Sequence, residues 1–306
     1  MFDNMFQMMG IMFLFILSGA FMRKVNIINE KSNRFLANLI LGWILPCNIV
    51  RAFLSENHIG FWDAFIKVLI VASCVQVLCL VLNQFLFQNM SKKERQVYKY
   101  ATVCSNAGFI GNSLAQGVFG SIGQLYASLF LIPLRIMMWT AGVSYFSNEC
   151  NKKKLLEQIT VHPCMIAVYI GMGLMISGIE IPTVAMKSLT AFSDCCAPLT
   201  MAYIGAILAD IDFRGLVTKN QIYFAFIRLF LLPAIVFGGC LWFAVDPLVT
   251  GVCVLLTAMP AGSTTSLLAT QYSGDEVVAA KCVAFTTIIS VIATPIWGYI
   301  IAGILI

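Results

Sequence analysis

Two short polar interruptions in long apolar segments carry the residues best suited to bind a ligand. The first is Ser105-Asn-Ala-Gly-Phe-Ile-Gly-Asn112, and the second is Ala258-Met-Pro-Ala-Gly-Ser263 with the following Thr264. Interior glycine costs an α-helix about 1 kcal/mol and interior proline about 3 kcal/mol, so we expect a helix break at each interruption. In a membrane, the backbone groups that a break frees must face protein or water.

Breaks of this kind are typical of ion and substrate sites, because a half-helix N-terminus attracts an anion and a C-terminus attracts a cation. Glycine and proline also serve packing alone in membrane helices, but here two breaks fall at matching positions and carry Asn, Ser and Thr side chains. We therefore predict one site for a small organic anion, built from Asn106, Gly108, Gly111, Asn112, Pro260, Ala261, Gly262, Ser263 and Thr264.

An arginine within the membrane is predicted to supply the positive charge of this site. Arg135 lies about thirteen residues from either end of an apolar segment, where an arginine must face a cavity or a partner. Its guanidinium would bind a substrate carboxylate through two hydrogen bonds. The alternative is a structural partner, such as a carbonyl at a helix break or Asp194. Arg228 lies nearer the inner end of its segment, and we expect it to extend to the membrane surface.

Two other polar residues are assigned roles near this site. Asn48 is predicted to add a polar wall. Asp194 is the deepest carboxylate within a predicted span, which makes it the candidate for binding or titrating a coupling ion. The coupling ion could be H⁺ or Na⁺, and transport without a coupling ion is a third alternative.

The composition places these motifs in a membrane. Apolar residues make up 60% of the 306 positions and charged residues 11%, whereas about 25% of residues are charged in an ordinary globular protein. Long charge-free stretches predict spanning helices of about 20 residues rather than the short alternating strands of a barrel. We predict ten spans, near residues 5–22, 35–53, 64–87, 99–119, 122–147, 160–179, 188–209, 220–244, 247–272 and 279–304.

The distribution of Lys and Arg predicts the orientation of these spans. Fourteen of the 19 Lys and Arg residues fall in the loops on one side and three fall on the other, which places the richer side in the cytoplasm. Both termini are then expected outside the cell membrane. Arg23 and Lys24 follow the first span and no basic residue precedes it, so we expect a retained span rather than a signal peptide. The net charge of +5 reflects this topology and predicts no nucleic-acid partner.

The order of prolines and polar breaks repeats between the two halves of the chain. Pro46 precedes Asn106 by 60 residues, and Pro198 precedes Pro260 by 62 residues. Asn106 and Pro260 are each followed 14 residues later by a glycine. Pro46 and Pro198 are predicted to kink their helices. Five spans, an odd number, in each half make the halves cross the membrane in opposite directions, which predicts an inverted repeat.

The predicted fold is therefore an all-α membrane protein of two inverted five-helix repeats. Residues 1–150 form the first repeat and residues 151–306 form the second, and the broken spans four and nine are expected to cross near the bilayer midplane. No phosphate-binding loop or dinucleotide fingerprint occurs, which argues against transport driven by the chain's own ATP hydrolysis and predicts no cofactor. The 11 cysteines and 2 histidines show no metal-site spacing.

The motifs resemble those of the auxin efflux carrier family, in its compact bacterial branch, over nearly the whole chain. The positions that carry this resemblance are Leu45-Pro46-Cys47, Asn106-Ala-Gly-Phe-Ile-Gly111, Phe119-Gly120, Pro198-Leu199, Gly205-Ala206, Leu208-Ala209, Ala258-Met-Pro260, Tyr272, Gly274, Asp275, Thr287, Ser290 and Pro295. The resemblance implies a fold similar to bile-acid/sodium symporters and sodium/proton antiporters. It also implies carboxylate substrates: bacterial relatives carry malonate, malate or lactate, and plant relatives export auxin. Asn112 departs from the family pattern, which often has proline there.

We therefore predict a secondary transporter of a small mono- or dicarboxylate that works by alternating access. By analogy with the fold, spans one, two, six and seven would form the moving panel. The alternatives are an anion channel, which predicts currents, and a membrane receptor, which predicts binding without flux. The motifs of intramembrane hydrolases are absent from the sequence, so no enzyme is predicted. The expected partners are the substrate anion and the lipid bilayer, and the sequence is compatible with a homodimer.

Overall fold

The computed structural model of the chain describes residues 2–54, 61–142, 144–146, 161, 163–179, 181–209, 217–272 and 274–305. All regular structure in these ranges is helical. The α-helices are α1 (Phe2–Lys24), α2 (Glu30–Leu39), α3 (Leu45–Leu54), α4 (Phe61–Phe85), α5 (Lys92–Val103), α6 (Asn112–Met137), α7 (Pro163–Ser177), α8 (Thr183–Asp194), α9 (Cys196–Ala209), α10 (Lys219–Phe226), α11 (Leu232–Trp242), α12 (Pro247–Thr257), α13 (Thr264–Gln271) and α14 (Glu276–Leu305). Four π-helical turns adjoin them, at Ile40–Ile44, Ala107–Gly111, Met138–Gly142 and Ile227–Leu231.

Several of these helices can cross a membrane by length and composition. Within the described ranges, five stretches qualify, at residues 30–51, 63–85, 112–142, 219–242 and 276–303. The apolar helices α7 and α12 are shorter. These findings support the prediction of an all-helical membrane protein. The division into ten spans stays a prediction.

The stretch 112–142 is two helical arms rather than one rod. Gly120 interrupts it with φ 69° and ψ −158°, a conformation that L-residues with a side chain rarely adopt. A Cβ built on Gly123 would lie 2.6 Å from the carbonyl oxygen of Ala115. In a straight helix, residues eight apart are separated by about 12 Å along the axis. The chain therefore doubles back at Gly120, between the residues assigned to spans four and five.

Replacing Gly120 with alanine is expected to lower the free energy of unfolding by about 1–3 kcal/mol, because it forces a side chain into this backbone conformation. No atom lies within 4 Å of a Cβ built on Gly120, so the cost comes from the backbone alone. Thermal unfolding of the detergent-solubilised protein measures it. The control is Gly173→Ala in α7, which also meets open space and should be neutral or slightly stabilising. Equal stability of the two variants would contradict the turn.

The two prolines predicted to kink their helices lie at helix irregularities. Proline lacks a backbone N–H, and its ring clashes with the carbonyl four residues earlier. The π turn Ile40–Ile44 directly precedes Pro46 and its helix α3. Pro198 cannot bond to the carbonyl of Asp194, and α8 ends at Asp194 before α9 begins.

The helices form two groups. In the first, α1 packs along α9, and α3 packs on α7 and α8. The contact between α1 and α9 is close, since a Cβ on Gly19 would lie 2.0 Å from the carbonyl oxygen of Ala202 and one on Gly205 would lie 1.9 Å from that of Ile16. In the second group, α6 packs on α4 and α12, and α12 packs on α11 and α14. The first group contains the helices assigned above to spans one, two, six and seven.

Candidate functional site

The two predicted interruptions meet in the interior of the protein. The chain leaves helical structure between Val103 and Ala107, and again between Thr257 and Thr264. Asn106 N donates to Pro260 O at 2.7 Å, and residues 105 and 261 form an antiparallel bridge. We call this pairing of residues 104–106 with 260–262 the crossing. It satisfies backbone groups that the breaks would otherwise leave without partners.

Small residues let the two segments approach this closely. Gly262 N donates to Cys104 O at 2.9 Å, and a Cβ on Gly262 would lie 3.1 Å from Cys104 Sγ. A Cβ on Gly111 would lie 2.6 Å from Leu256 Cδ2. The Ala261 amide is held from the other side, since it donates to Thr286 Oγ1 at 3.2 Å. A larger side chain at Gly262 or Gly111 would push the segments apart.

Arg228 caps both interrupted helices. Its Nε donates to Met259 O at 3.0 Å and its Nη1 donates to Thr102 O at 3.0 Å, and the side chain is 2% exposed. The expectation that Arg228 extends to the membrane surface is therefore wrong. The two breaks free the carbonyl oxygens of Thr102 and Met259, which can bind the guanidinium in place of water. The fold brings Arg228 within hydrogen-bonding distance of both oxygens. Trp297 Nε1 anchors the same segment by donating to Leu229 O at 2.7 Å.

A small, narrow cavity adjoins the crossing. Its polar lining includes two predicted residues, Asn106 and Ser263, together with Thr287 of α14. Its other lining residues come from α9 and α14 and are Tyr203, Ile204, Ile207, Val283 and Ala284.

A second cavity meets the first at Thr287 and is mostly apolar. Its other lining residues are Phe13, Ile16, Ile110, Leu114, Met201, Ser290, Val291, Thr294 and Pro295. The two cavities together follow the crevice between the first helix group and α14.

Several buried hydroxyl groups surround the crossing. Thr264 Oγ1 accepts from Tyr100 OH at 3.2 Å and lies 3.1 Å from Cys104 Sγ. The hydroxyls of Ser105 and Thr265 are buried and have no hydrogen-bond partner among the described residues. Ser105 and Thr265 were not among the predicted site residues, because a hydroxyl beside a break is not distinguishable in the sequence from a helix-capping one.

Asn48 lies away from these cavities and links the two helix groups. Its Nδ2 donates to Ser193 Oγ at 3.0 Å and to Gln116 Oε1 at 3.3 Å. Its Oδ1 accepts from Asn112 Nδ2 at 3.3 Å, and its backbone oxygen accepts from Gln124 Nε2 at 2.6 Å. We call these five residues the Asn48 network. Gln116, Gln124 and Ser193 were missed in the sequence, although uncharged polar residues inside apolar helices are a usable signal.

Asp194 has an exposed side chain. Its side chain is 61% exposed and forms an ion pair with Arg51, which also donates to Ser193 Oγ at 3.4 Å. The depth of Asp194 in the membrane and its role with a coupling ion stay predictions. In this structure its carboxylate neutralises Arg51.

Arg135 is buried, with 5% of its surface exposed. Its Nη1 has no hydrogen-bond partner among the described residues, and it lines neither of the two cavities. Gly108 faces open space, since no atom lies within 4 Å of a Cβ built on it. The structure thus brings Asn106, Gly262 and Ser263 to the crossing, but leaves Arg135 at a separate place.

A profile of a family described as membrane transport proteins matches residues 4–162 and 148–298 of this chain. The chain belongs to that family. This confirms the resemblance to the auxin efflux carrier family. An uncharacterized transporter of Methanocaldococcus jannaschii is 23% identical over 302 residues, which cover 95% of this chain and 97% of the relative. An uncharacterized transporter of Methanothermobacter thermautotrophicus is 21% identical over 298 residues, which cover 94% and 95%.

As an auxin efflux carrier family protein, the chain is a membrane-embedded member of a transporter family rather than of an enzyme family. Its departure from the family pattern at Asn112 has a structural counterpart. The backbone N–H of Asn112 donates to Ala107 O, so the π turn Ala107–Gly111 runs directly into α6. Proline would remove this donor. In this family member the Asn112 side chain then reaches the Asn48 network.

Proposed function

We propose that this chain is a secondary transporter of small organic anions, such as malonate, malate or lactate, in the cell membrane. The proposal includes ten spans in two inverted repeats, with both termini outside and a binding site at the crossing. Alternating access would move the first helix group against the second. The observation that carries the proposal is the direct pairing of residues 104–106 with 260–262 beside a buried, partly polar cavity.

The electrostatics of the crossing support an anion. Each interrupted helix has a partial positive charge at the N-terminus of its second half and a partial negative charge at the C-terminus of its first half. Arg228 binds one carbonyl from each break and thereby offsets the negative ends. The positive ends lie near residues 107 and 264. A carboxylate in the adjoining cavity would compensate them.

The cavity linings support an organic rather than an inorganic anion. Asn106 and Ser263 offer an amide and a hydroxyl in the cavity beside the breaks. The adjacent cavity offers mostly hydrocarbon with three hydroxyl side chains, from Thr287, Ser290 and Thr294. A small carboxylate with a short carbon body matches this combination.

We assign Arg135 the role of a counter-charge that meets the substrate carboxylate during the transport cycle. A buried guanidinium with an unpaired donor is costly unless a partner arrives. Arg135 lines neither cavity in this conformation, so the assignment requires the helix groups to move. The Arg51–Asp194 pair lies at an exposed position beside the Asn48 network and would change its surroundings in the same motion.

Uptake by proteoliposomes tests the proposed function. Labelled malonate, malate and lactate are offered under an imposed proton gradient, an imposed sodium gradient and no gradient. Saturable uptake of at least one carboxylate, competed by unlabelled substrate, is the expected result. Binding without flux would indicate a receptor, and single-channel currents in a planar bilayer would indicate a channel. Either outcome contradicts a carrier.

A further inference from the structure

We infer that Arg228 is a tethered cation, which occupies at the crossing the place where a coupling sodium ion would bind. Transport by this chain would then not be driven by sodium. The inference rests on the proposed function, since it concerns the ion coupling of the same site.

The carbonyl oxygens at the breaks are the groups that a sodium ion would need. In transporters with interrupted helices, unwound carbonyls and half-helix C-termini are the groups that coordinate Na⁺. Here Thr102 O comes from the end of α5 and Met259 O from the second break, and each lies 3.0 Å from a nitrogen of Arg228. One side chain therefore holds an oxygen from each interrupted helix. A sodium ion bridging the two breaks would need the same oxygens.

The charge of Arg228 would repel a second cation. A guanidinium in a protein is always protonated. No carboxylate among the described residues forms an ion pair with Arg228, whose hydrogen bonds go to backbone carbonyls. Its titratable neighbours are the thiols of Cys79, Cys104 and Cys282. A second cation at the crossing would be repelled by this charge in a medium of low dielectric.

The burial of Arg228 keeps its guanidinium at the crossing. Arg228 is 2% exposed, and its backbone segment is fixed by the bond from Trp297 to Leu229 O. An arginine on a mobile, exposed stem could leave and return during transport. Arg228 instead lies in the π turn Ile227–Leu231, between α10 and α11, and this turn packs on α14 of the second helix group. The positive charge at the crossing therefore belongs permanently to the protein and does not move with the substrate.

A variant without the guanidinium tests the inference. Arg228→Ala is purified in detergent, and its thermal unfolding is measured in about 200 mM NaCl and in choline chloride of equal ionic strength. If the vacated carbonyls accept Na⁺, the midpoint should be higher in NaCl by about 2 °C or more, as expected for a ligand that binds only the folded state. The wild type should unfold at the same temperature in both salts. Guanidinium ion at about 10 mM should stabilise Arg228→Ala as Na⁺ does.

Arg135→Ala is the matched control, because it also removes a buried guanidinium but vacates no described carbonyl at a break. It should show no difference between NaCl and choline chloride. If Arg228→Ala yields no folded protein, Arg228→Gln is measured in the same way, since its single amide is too short to hold both carbonyls. A folded Arg228 variant that responds to neither Na⁺ nor guanidinium overturns the inference, and so does an equal response of all three proteins.

Uptake gives a second readout. Wild-type uptake of a carried carboxylate should be unchanged, within about twofold, by an inward sodium gradient. Arg228→Ala should gain at least about tenfold in uptake when Na⁺ replaces choline. Stimulation of the wild type by the sodium gradient overturns the inference. If the wild type carries no carboxylate under any gradient, the proposed function fails, while the unfolding measurements still decide the role of Arg228.

Discussion

Replacing Arg135 with alanine is expected to reduce carboxylate uptake about 100-fold at substrate concentrations below saturation. Hydrogen bonds to charged groups contribute about 1.5–3 kcal/mol each, and the proposed contact has two of them. Each 1.4 kcal/mol corresponds to a factor of about ten in affinity. Uptake into proteoliposomes with equal amounts of reconstituted protein measures the effect.

Arg135→Lys should give an intermediate loss of about tenfold, because lysine keeps the charge but cannot form the planar two-bond contact. Folding should survive in both variants, since the Nη1 of Arg135 has no described partner to lose. Arg95→Ala is the control arginine: its Nη1 donates to Gln88 Oε1 at 3.3 Å in an exposed position near the start of α5. Uptake by Arg135→Ala at the wild-type rate would mean that Arg135 has only a structural role.

Replacing Gly262 with valine is expected to abolish transport and to destabilise the protein by about 2–3 kcal/mol, the upper part of the range for overpacking a core. Even the Cβ of alanine would lie 3.1 Å from Cys104 Sγ and 3.2 Å from the carbonyl oxygens of Cys104 and Ser105. The two methyl groups of valine would force the segments apart and break the bond from Gly262 N to Cys104 O. Uptake and thermal unfolding measure the two effects.

The loss of activity should increase with the size of the group added at position 262. Gly262→Ala should lose less activity than Gly262→Val, because its single Cβ needs shifts of only a few tenths of an ångström. Gly238→Val in α11 is the matched control, since a Cβ at Gly238 meets no atom within 4 Å. If Gly262→Val transported as well as Gly238→Val, the close crossing would not be needed for transport.

Local chemistry made the breaks predictable. Glycine and proline have the same conformational effects wherever they stand, so the interruptions at Asn106–Gly111 and Pro260–Gly262 could be placed from residue type alone. The turn at Gly120 and the kink before Pro198 follow for the same reason. Their matching spacing in the two halves also indicated that the breaks belong together.

The roles of the charged residues were less predictable, because a charge takes the partner that the fold brings nearest. In the sequence, Arg228 and Arg135 each appear as a single arginine in an apolar segment. In the structure, only Arg228 meets two freed carbonyls. The sequence indicated that Asp194 is a carboxylate within a span, but it gave no sign that Asp194 pairs with Arg51 at the end of α8. The separation of these residues along the chain, from 31 to 143 positions, carries no signal in a single sequence.

From one sequence alone, we could therefore predict a helical membrane protein of the auxin efflux carrier family and the places where its helices bend or break. Those properties depend on composition and on backbone preferences that act within a few residues. The atoms that fill the breaks could be identified only in the folded protein: they are the amide and carbonyl groups of the opposite segment and the guanidinium of Arg228, with the Asn48 network beside them. Hydrogen bonds form between groups within about 3 Å, and distant parts of a chain reach that distance only when the helices have packed.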